Sequence, residues 1–159
     1  VFEKSDFAEL VRRSVGEMSC LIEDKGQQLS VDIPDRAICW FDSDMMERVI
    51  KNLLENAVKY SPVRGSIAIS MSQDRNADIT FEIENTGVVI PNDSLPRLFE
   101  PFYRVDASRS RENGGNGLGM YIIKTLLESH YASYGICNTD KGVKFQFCLI
   151  ASKIHRKSI

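Results

Sequence analysis

Helical and extended periods alternate along this chain in a fixed rhythm, and that rhythm restricts the fold more than any other feature. Phe7, Leu10, Val11, Val15, Met18 and Ile22 form one apolar stripe at helical spacing over residues 6–25. Asp6 can cap that helix with Glu9 as its capping-box partner, and Gly26 stops it. Residues 29–33 and 37–41 read as strands around the turn signal Pro34-Asp35. Ser43 opens a second helix that runs to about Tyr60 and ends before Pro62. Residues 67–72 and 79–84 alternate apolar with polar side chains, as half-buried strands do, around a turn at 74–78. A third helix is expected at 118–129, with His130 after it as a cap or surface residue. Residues 136–138 and 143–150 close the pattern as strands, and the basic tail 152–159 is expected to fray. Strand pairs separated by helices predict a mixed sheet with helices on one face, an α+β two-layer sandwich. Residues 1–151 then form one domain.

The rhythm breaks once. Between Asn85 and Gly117 lie Thr86-Gly87, Pro91, Pro96, Pro101 and Gly114-Gly115. More than about 30 residues of mostly loop inside a compact domain is usually a functional segment. Composition narrows what it could serve. A net charge of −2 argues against a nucleic-acid surface. No apolar run reaches the roughly 18 residues of a membrane span, and the start VFEKSDFAEL has no apolar signal core. The chain also starts without Met, so it reads as a soluble, monomeric piece of a longer protein. Cys20, Cys39, Cys137 and Cys148 have no CxxC pairing and read as free thiols, which suits a reducing cytosol.

Three segments carry chemistry. On the second helix, Asn52, Asn56, Lys59 and Tyr60 share one face, while Val49, Ile50, Leu53, Ala57 and Val58 fall on the core side. Two carboxamides, an ammonium and a phenol thus line one edge, although Asn is a poor helix former. That spacing fits a solvated polar face about as well as a site. In the second segment, the strand at 79–84 runs into Asn85-Thr86-Gly87, where a glycine lets backbone approach a ligand. Third, Gly115, Gly117 and Gly119 lead directly into the third helix, presenting backbone N–H groups and a positive dipole end to an anion. The spacing is neither G-x-G-x-x-G nor a P-loop.

Taken together, these segments resemble the histidine-kinase branch of the ATPase superfamily shared with gyrase B subunits and large heat-shock chaperones. The asparagine helix is similar to the N box, and Asn85-Thr86-Gly87-Val88-Val89-Ile90 to the first glycine box. Leu98-Phe99-Glu100-Pro101-Phe102-Tyr103-Arg104 resembles the F box, which belongs to histidine kinases alone. Gly115-Asn116-Gly117-Leu118-Gly119-Met120-Tyr121-Ile122 resembles the second glycine box. The stretch from Ser129-His130 through Tyr134-Gly135 to Gly142-Val143 also looks like that of certain Gram-positive sensors, vancomycin-resistance sensors among them.

The resemblance implies about five strands in a mixed sheet, three helices on one face and a mobile ATP lid over residues 105–114. It implies ATP and Mg²⁺ as cofactors. Asn56 would hold the metal through its side-chain oxygen, with Asn52 one turn earlier on the same wall. Lys59 would pair with phosphates and Tyr60 would pack by the adenine. Asn85, Gly87, Val89 and Ile90 would line the nucleotide site, as would Phe102, Tyr103, Gly115, Gly117, Leu118 and Gly119. Arg104 would close over the phosphates, with Arg109 and Arg111 as weaker candidates.

Two positions depart from the family pattern. Asn85 stands where an Asp usually accepts from the adenine amino group; it keeps a carbonyl acceptor but loses the charge. Val89 replaces a glycine. Neither His130 nor His155 begins a helix in the phosphoacceptor context, so the phosphate would go to a histidine on a dimerisation domain outside this chain. A response regulator would follow as the next partner, and the parent would be a membrane sensor with this domain in the cytoplasm. Two rival readings remain. One is an ATP hydrolase of the gyrase or chaperone type, disfavoured because those branches place a general-base Glu where Asn52 stands; Glu55 lies about 60° away around the helix. The other is a degenerate nucleotide-binding module, motivated by Asn85 and Val89.

Overall fold

A computed structural model describes residues 1–87, 89–105 and 118–158, with the side chains of 155–158 left aside. The strands are β1 (Glu3–Asp6), β2 (Gln28–Asp32), β3 (Ile38–Phe41), β4 (Ser66–Gln73), β5 (Ile79–Thr86), β6 (Ser133–Asn138) and β7 (Gly142–Leu149). The helices are α1 (Phe7–Asp24), α2 (Ser43–Tyr60), α3 (Gly119–Ser129) and α4 (Ala151–Ser158), with a 3₁₀ turn at Leu95–Arg97. Five strands form the main sheet in the order β2-β4-β5-β7-β6. β2 runs parallel to β4 and the other pairs are antiparallel, so the sheet is mixed, as expected.

The sheet is amphipathic because its strands alternate. Ile67, Ile69 and Met71 on β4, Ile79, Phe81 and Ile83 on β5, and Phe145, Phe147 and Leu149 on β7 are all buried. Strand register brings Ile69 beside Ile83 and Ile83 beside Phe145, one apolar row across three strands. α2 answers that face with Met46, Val49, Ile50, Leu53, Leu54, Ala57 and Val58, all buried. Each of these side chains larger than Ala57 contributes about 1.5–3 kcal/mol relative to exposure. Phe7 at the start of α1 meets Phe41 edge-on at 5.3 Å and Phe147 at 6.2 Å, and Phe81 stacks on Phe147 at 5.1 Å.

Helix ends follow local chemistry. Asp6 caps α1 by accepting from Ala8 N (3.1 Å), and the same oxygen accepts from Ala37 N (2.9 Å), tying the helix start to the segment before β3. α1 ends with Gly26 N on Glu23 O (2.9 Å) and Gln27 N on Ile22 O (3.0 Å), with Gly26 at φ 62°. Asp42 caps α2 through Met45 N (3.0 Å).

The structure departs from the sequence expectation in four places. β2 and β3 do not pair around Pro34-Asp35; β3 instead pairs antiparallel with β1 in a separate two-stranded sheet. β1 is Glu-Lys-Ser-Asp, which has no apolar alternation to announce it. The tail is not frayed: α4 begins with Ala151 N on Asp78 Oδ1 (2.9 Å), and Ile154 is buried. His130 does cap α3, yet it is wholly buried and not at the surface.

His130 is a core joint. Its Nδ1 donates to Leu126 O (2.8 Å), which leaves Nε2 to accept from Asp42 N (3.1 Å). Phe2 packs edge-on against the ring at 4.8 Å. The end of α3 is thereby fastened to the N-cap of α2. Burial pushes the imidazole below its ordinary value, outweighing the opposing pull of the Leu126 carbonyl and the Asp42 charge. A depressed folded value means that the unfolded chain takes the proton more readily. The stabilisation is therefore complete above the ordinary histidine value of about 6.5 and is lost as pH falls through the folded value. Urea midpoints should drop from about pH 7 to about pH 5 in the wild type, and less steeply in His130→Ala. That variant should also lose about 2–4 kcal/mol at neutral pH, from the stranded Asp42 N–H and the vacated volume.

Candidate nucleotide site

The polar edge of α2 is real in three dimensions. Asn52, Asn56 and Lys59 are half-buried and Tyr60 is 57% exposed, while their neighbours Leu53, Leu54, Ala57 and Val58 are buried. Asn56 Nδ2 faces Met120 Sδ, in the first turn of α3, at 3.4 Å. A Cβ on Gly119 would lie 4.0 Å from Asn56 Oδ1. The carboxamide oxygen of the asparagine helix and the first turn of the glycine-led helix therefore meet. Leu118 is the N-cap residue of α3. Gly115 and Gly117 lie outside the described residues, as do Arg109, Arg111 and all of the expected lid beyond Val105.

Two cations share this corner. Burial, and then the nearby Arg104 charge, lower the Lys59 pKa. Arg104 also acts on Tyr60, whose phenol is raised by burial against that charge. Lys59 Nζ stands 5.3 Å from the Tyr60 ring centroid. Among the described residues no carboxylate forms an ion pair with Lys59 or Arg104. A lysine disfavoured as a cation by burial and by a second positive charge, without a carboxylate partner among the described residues, makes a corner that an anion would stabilise.

The strand end of β5 forms the next wall. Asn85 shares the helix-side face with Phe81 and Ile83 by strand alternation. Its Nδ2 donates to Thr86 O (3.1 Å), and its carbonyl oxygen remains as the acceptor. Thr86 Oγ1 accepts from Ser66 N (2.9 Å) and lies 3.4 Å from Ser61 Oγ, fixing the end of β5 to the start of β4. Gly87 is needed for close approach, since a Cβ there would sit 2.8 Å from Tyr60 O. The loop after β5 and the end of α2 are thus in close contact. Gly142, at the start of β7, is equally constrained: a Cβ on it would overlap Asn85 O and lie 2.8 Å from Gly87 N.

The loop beyond is held from behind. Asn138 Oδ1 accepts from Ile90 N (2.8 Å) and its Nδ2 donates to Ile90 O (2.8 Å), so one side chain imitates a strand partner. Val89 is exposed and Val88 lies outside the described residues. Phe99 packs edge-on against Tyr134 (5.2 Å) and Phe145 (6.2 Å), anchoring the F-box segment on the sheet. Tyr103 donates to Ser94 Oγ (3.0 Å) and lies under Arg97, 4.3 Å from its centroid. Phe102 is 71% exposed at φ 66°, a conformation that bulky residues rarely adopt.

The structure therefore brings together the α2 edge, Arg104, Asn85, Gly87, Leu118 and Gly119. Tyr103 is engaged within its own loop and Phe102 stands largely in solvent. Sequence reading missed Thr86, Met120, Asn138 and Gly142 as supporting residues. Asn138 precedes Thr139-Asp140-Lys141-Gly142, and a polar residue there reads as ordinary turn chemistry.

Comparison with known proteins agrees with this geometry. Residues 41–153 match the family described as histidine kinase-, DNA gyrase B-, and HSP90-like ATPase. The chain is 32% identical over 146 residues to the sensor histidine kinase CusS of Escherichia coli (strain K12), covering 92% of this chain and 30% of CusS. It is 32% identical over 145 residues to the sensor protein VanSB of Enterococcus faecalis (strain ATCC 700802 / V583), covering 91% of this chain and 32% of VanSB. The chain spans about a third of the length of these curated relatives, and the equal match to CusS means that the vancomycin-resistance type is not singled out. The nucleotide-free catalytic domain of the histidine kinase ThkA shares the fold, with a TM-score of 0.85 at 22% identity over 95% of this chain and 96% of that one. This chain belongs to the histidine kinase-, DNA gyrase B- and HSP90-like ATPase family.

Proposed function

We propose that this domain binds Mg-ATP and offers the γ-phosphate to a histidine on the dimerisation domain of a two-component sensor kinase. The observations that carry the reading lie along one edge of α2: Asn56 Oδ1 sits beside Gly119 at the start of α3, and Lys59, one turn on, feels the charge of Arg104. Full-length ShkA, which shares the fold at a TM-score of 0.80, was solved in complex with AMPPNP. ThkA, which shares it at 0.79, was solved in complex with the response regulator protein TrrA. A response regulator is accordingly proposed as the downstream partner here.

The residues present fit the ligands. Magnesium takes hard oxygen donors and keeps several waters, and Asn56 presents its oxygen because the amide nitrogen is turned to Met120. Bound there beside phosphates, the metal supplies charge neutralisation. Asn52 lines the same wall one turn earlier. Lys59 and Arg104 hold the phosphate charge, and the first-turn N–H groups of α3 point the same way by the logic of helix termini. Asn85 accepts the adenine amino group, Gly87 admits the ring to the backbone, and Tyr60 packs at its edge. Leu118 and Ile90 complete the apolar lining. Lys59 is already disfavoured as a cation by burial and Arg104, so phosphate binding relieves a repulsion built into the fold.

The chain does not supply its own phosphoacceptor among the described residues. His130 is buried and both ring nitrogens are engaged, so neither can attack a phosphorus atom. Hydrolysis of the gyrase or chaperone type is disfavoured for the reason that the family resemblance gave, and the structure adds that Glu55 is exposed on the outer face of α2.

Asn56→Ala should weaken Mg-ADP binding by about tenfold in calorimetry while leaving metal-free binding nearly unchanged; equal Mg-dependent affinities would remove the metal assignment. Asn85→Asp should bind as well or better, because a charged acceptor is stronger, whereas Asn85→Ala should lose about 1–3 kcal/mol. In labelled-ATP incubations the domain alone should stay unlabelled. A separately supplied dimerisation domain from its parent should acquire label at a rate that falls on dilution, since tethering is lost. Label retained on the catalytic domain, or rapid steady-state phosphate release, would contradict the donor role.

A further inference from the structure

The C-terminal turn of α2 carries Lys59 and Tyr60, yet it cannot close its own hydrogen bonds. The carbonyl of Val58 would normally receive the N–H four residues on, but that residue is Pro62, which has none. The missing donors come from the α1–β2 connection, far away in sequence. Lys25 Nζ donates to Val58 O (2.6 Å) and Ser61 O (3.0 Å). Gln27 Nε2 donates to the same two carbonyls, at 3.0 and 3.1 Å. Two side chains thus converge on one pair of oxygens.

We infer that Lys25 and Gln27 are positioning residues for the nucleotide site, a latch that replaces the donor Pro62 lacks and fixes where Lys59 and Tyr60 stand. This inference rests on the nucleotide-binding reading above. Three observations support it beyond the four bonds. Gln27 is buried, and its Oε1 has no hydrogen-bond partner among the described residues, a cost accepted to aim the amide at the carbonyls. Backbone bonds interlock the same two turns, with Arg64 N on Lys25 O (2.9 Å) and Gln28 N on Gly65 O (2.9 Å). On the site side, Tyr60 O lies against Gly87, so the α2 end is clamped between the latch and the adenine-side loop. Lys25 also brings a positive charge to a helix C-terminus, where the dipole favours it.

The test compares Lys25→Met, Gln27→Met and Lys25→Arg with wild type, measuring Mg-ADP affinity by calorimetry and amide exchange at Ser61 and Gly65 without nucleotide. Met18→Ala, a core truncation in α1 away from the latch, controls for general loss of stability. Lys25→Met and Gln27→Met should each weaken Mg-ADP binding by about tenfold, the scale expected when binding groups are misplaced by a fraction of an ångström. They should also speed exchange at Ser61 and Gly65. Lys25→Arg, which keeps the charge and the donors, should restore both readouts. Met18→Ala should melt earlier but bind as the wild type does. Unchanged affinity in both methionine variants, the same affinity loss in Met18→Ala, or no rescue by Lys25→Arg would overturn the inference. A wild-type domain that binds no Mg-ADP would instead sink the nucleotide reading. The exchange comparison would then decide the latch alone, and unchanged exchange in Lys25→Met would overturn it.

Discussion

α2 must be buried on one side and chemically open on the other, and the rest of the structure depends on that constraint. Its buried stripe lies over the helix-facing rows of the sheet, with α1 and α3 packed alongside. The opposite edge carries Asn52, Asn56, Lys59 and Tyr60. An apolar face alone would leave the helix free to slide or roll by a fraction of a turn, because hydrophobic burial is non-directional. Directional bonds at its two ends remove that freedom. His130 accepts from the Asp42 N–H at the N-cap, and Lys25 and Gln27 donate to the last carbonyls. The apolar stripe supplies the energy of docking, and the polar ends supply its register.

The same division of labour holds around the site. Apart from the Asn52–Asn56 stretch of α2, the walls are ends of elements: the end of β5, the start of β7, the first turn of α3 and the last turn of α2. Element ends have spare N–H and C=O groups, which suits them to ligands but leaves them poorly held. Specific contacts hold several of them. Thr86 ties β5 to β4, Asn138 ties Ile90 to β6, and Gly142 gives up its side chain so that β7 can lie against Asn85. Removing such a fastener costs a hydrogen bond or two in stability, yet its consequence for binding follows from misplacement.

How much of this was legible in the sequence depends on the range of the interaction. Local signals were read well: α2 from Ser43 to Tyr60, the stripe of α1, and the alternation of β4 and β5 all follow from period and punctuation. β1 was invisible because Glu3–Asp6 is held by its ladder to β3 and not by any pattern of its own. α4 was invisible because one buried isoleucine in a basic tail outweighs a polar composition. The capping position of His130 was legible but its burial was not, because a single histidine after a helix gives no sign that Phe2 and Asp42, far away in sequence, will enclose it. Of the proposed site, Asn56 and Asn85 stand out in the sequence by residue type and position. Asn138, Thr86 and Lys25 act on backbone atoms far away in sequence, and no spacing rule reports such pairs.

One electrostatic feature ties the fold to the activity. Burial, and then the Arg104 charge, lower the Lys59 pKa, and no carboxylate among the described residues pairs with Lys59, so the fold holds a small repulsion at its corner. Such an arrangement lowers the stability of the empty domain and raises its affinity for a polyanion, since the bound phosphate removes the penalty. A neutralising acid beside Lys59 would reverse both effects. It would firm the empty corner and oblige any phosphate to break an ion pair on entry. The neutral Asn52 and Asn56 on the same edge fit that requirement: they offer oxygen to a cation without offering charge to the lysine. Carboxamides there are thus compatible with a site that holds metal and phosphate together, where two carboxylates would have competed with the phosphate for both.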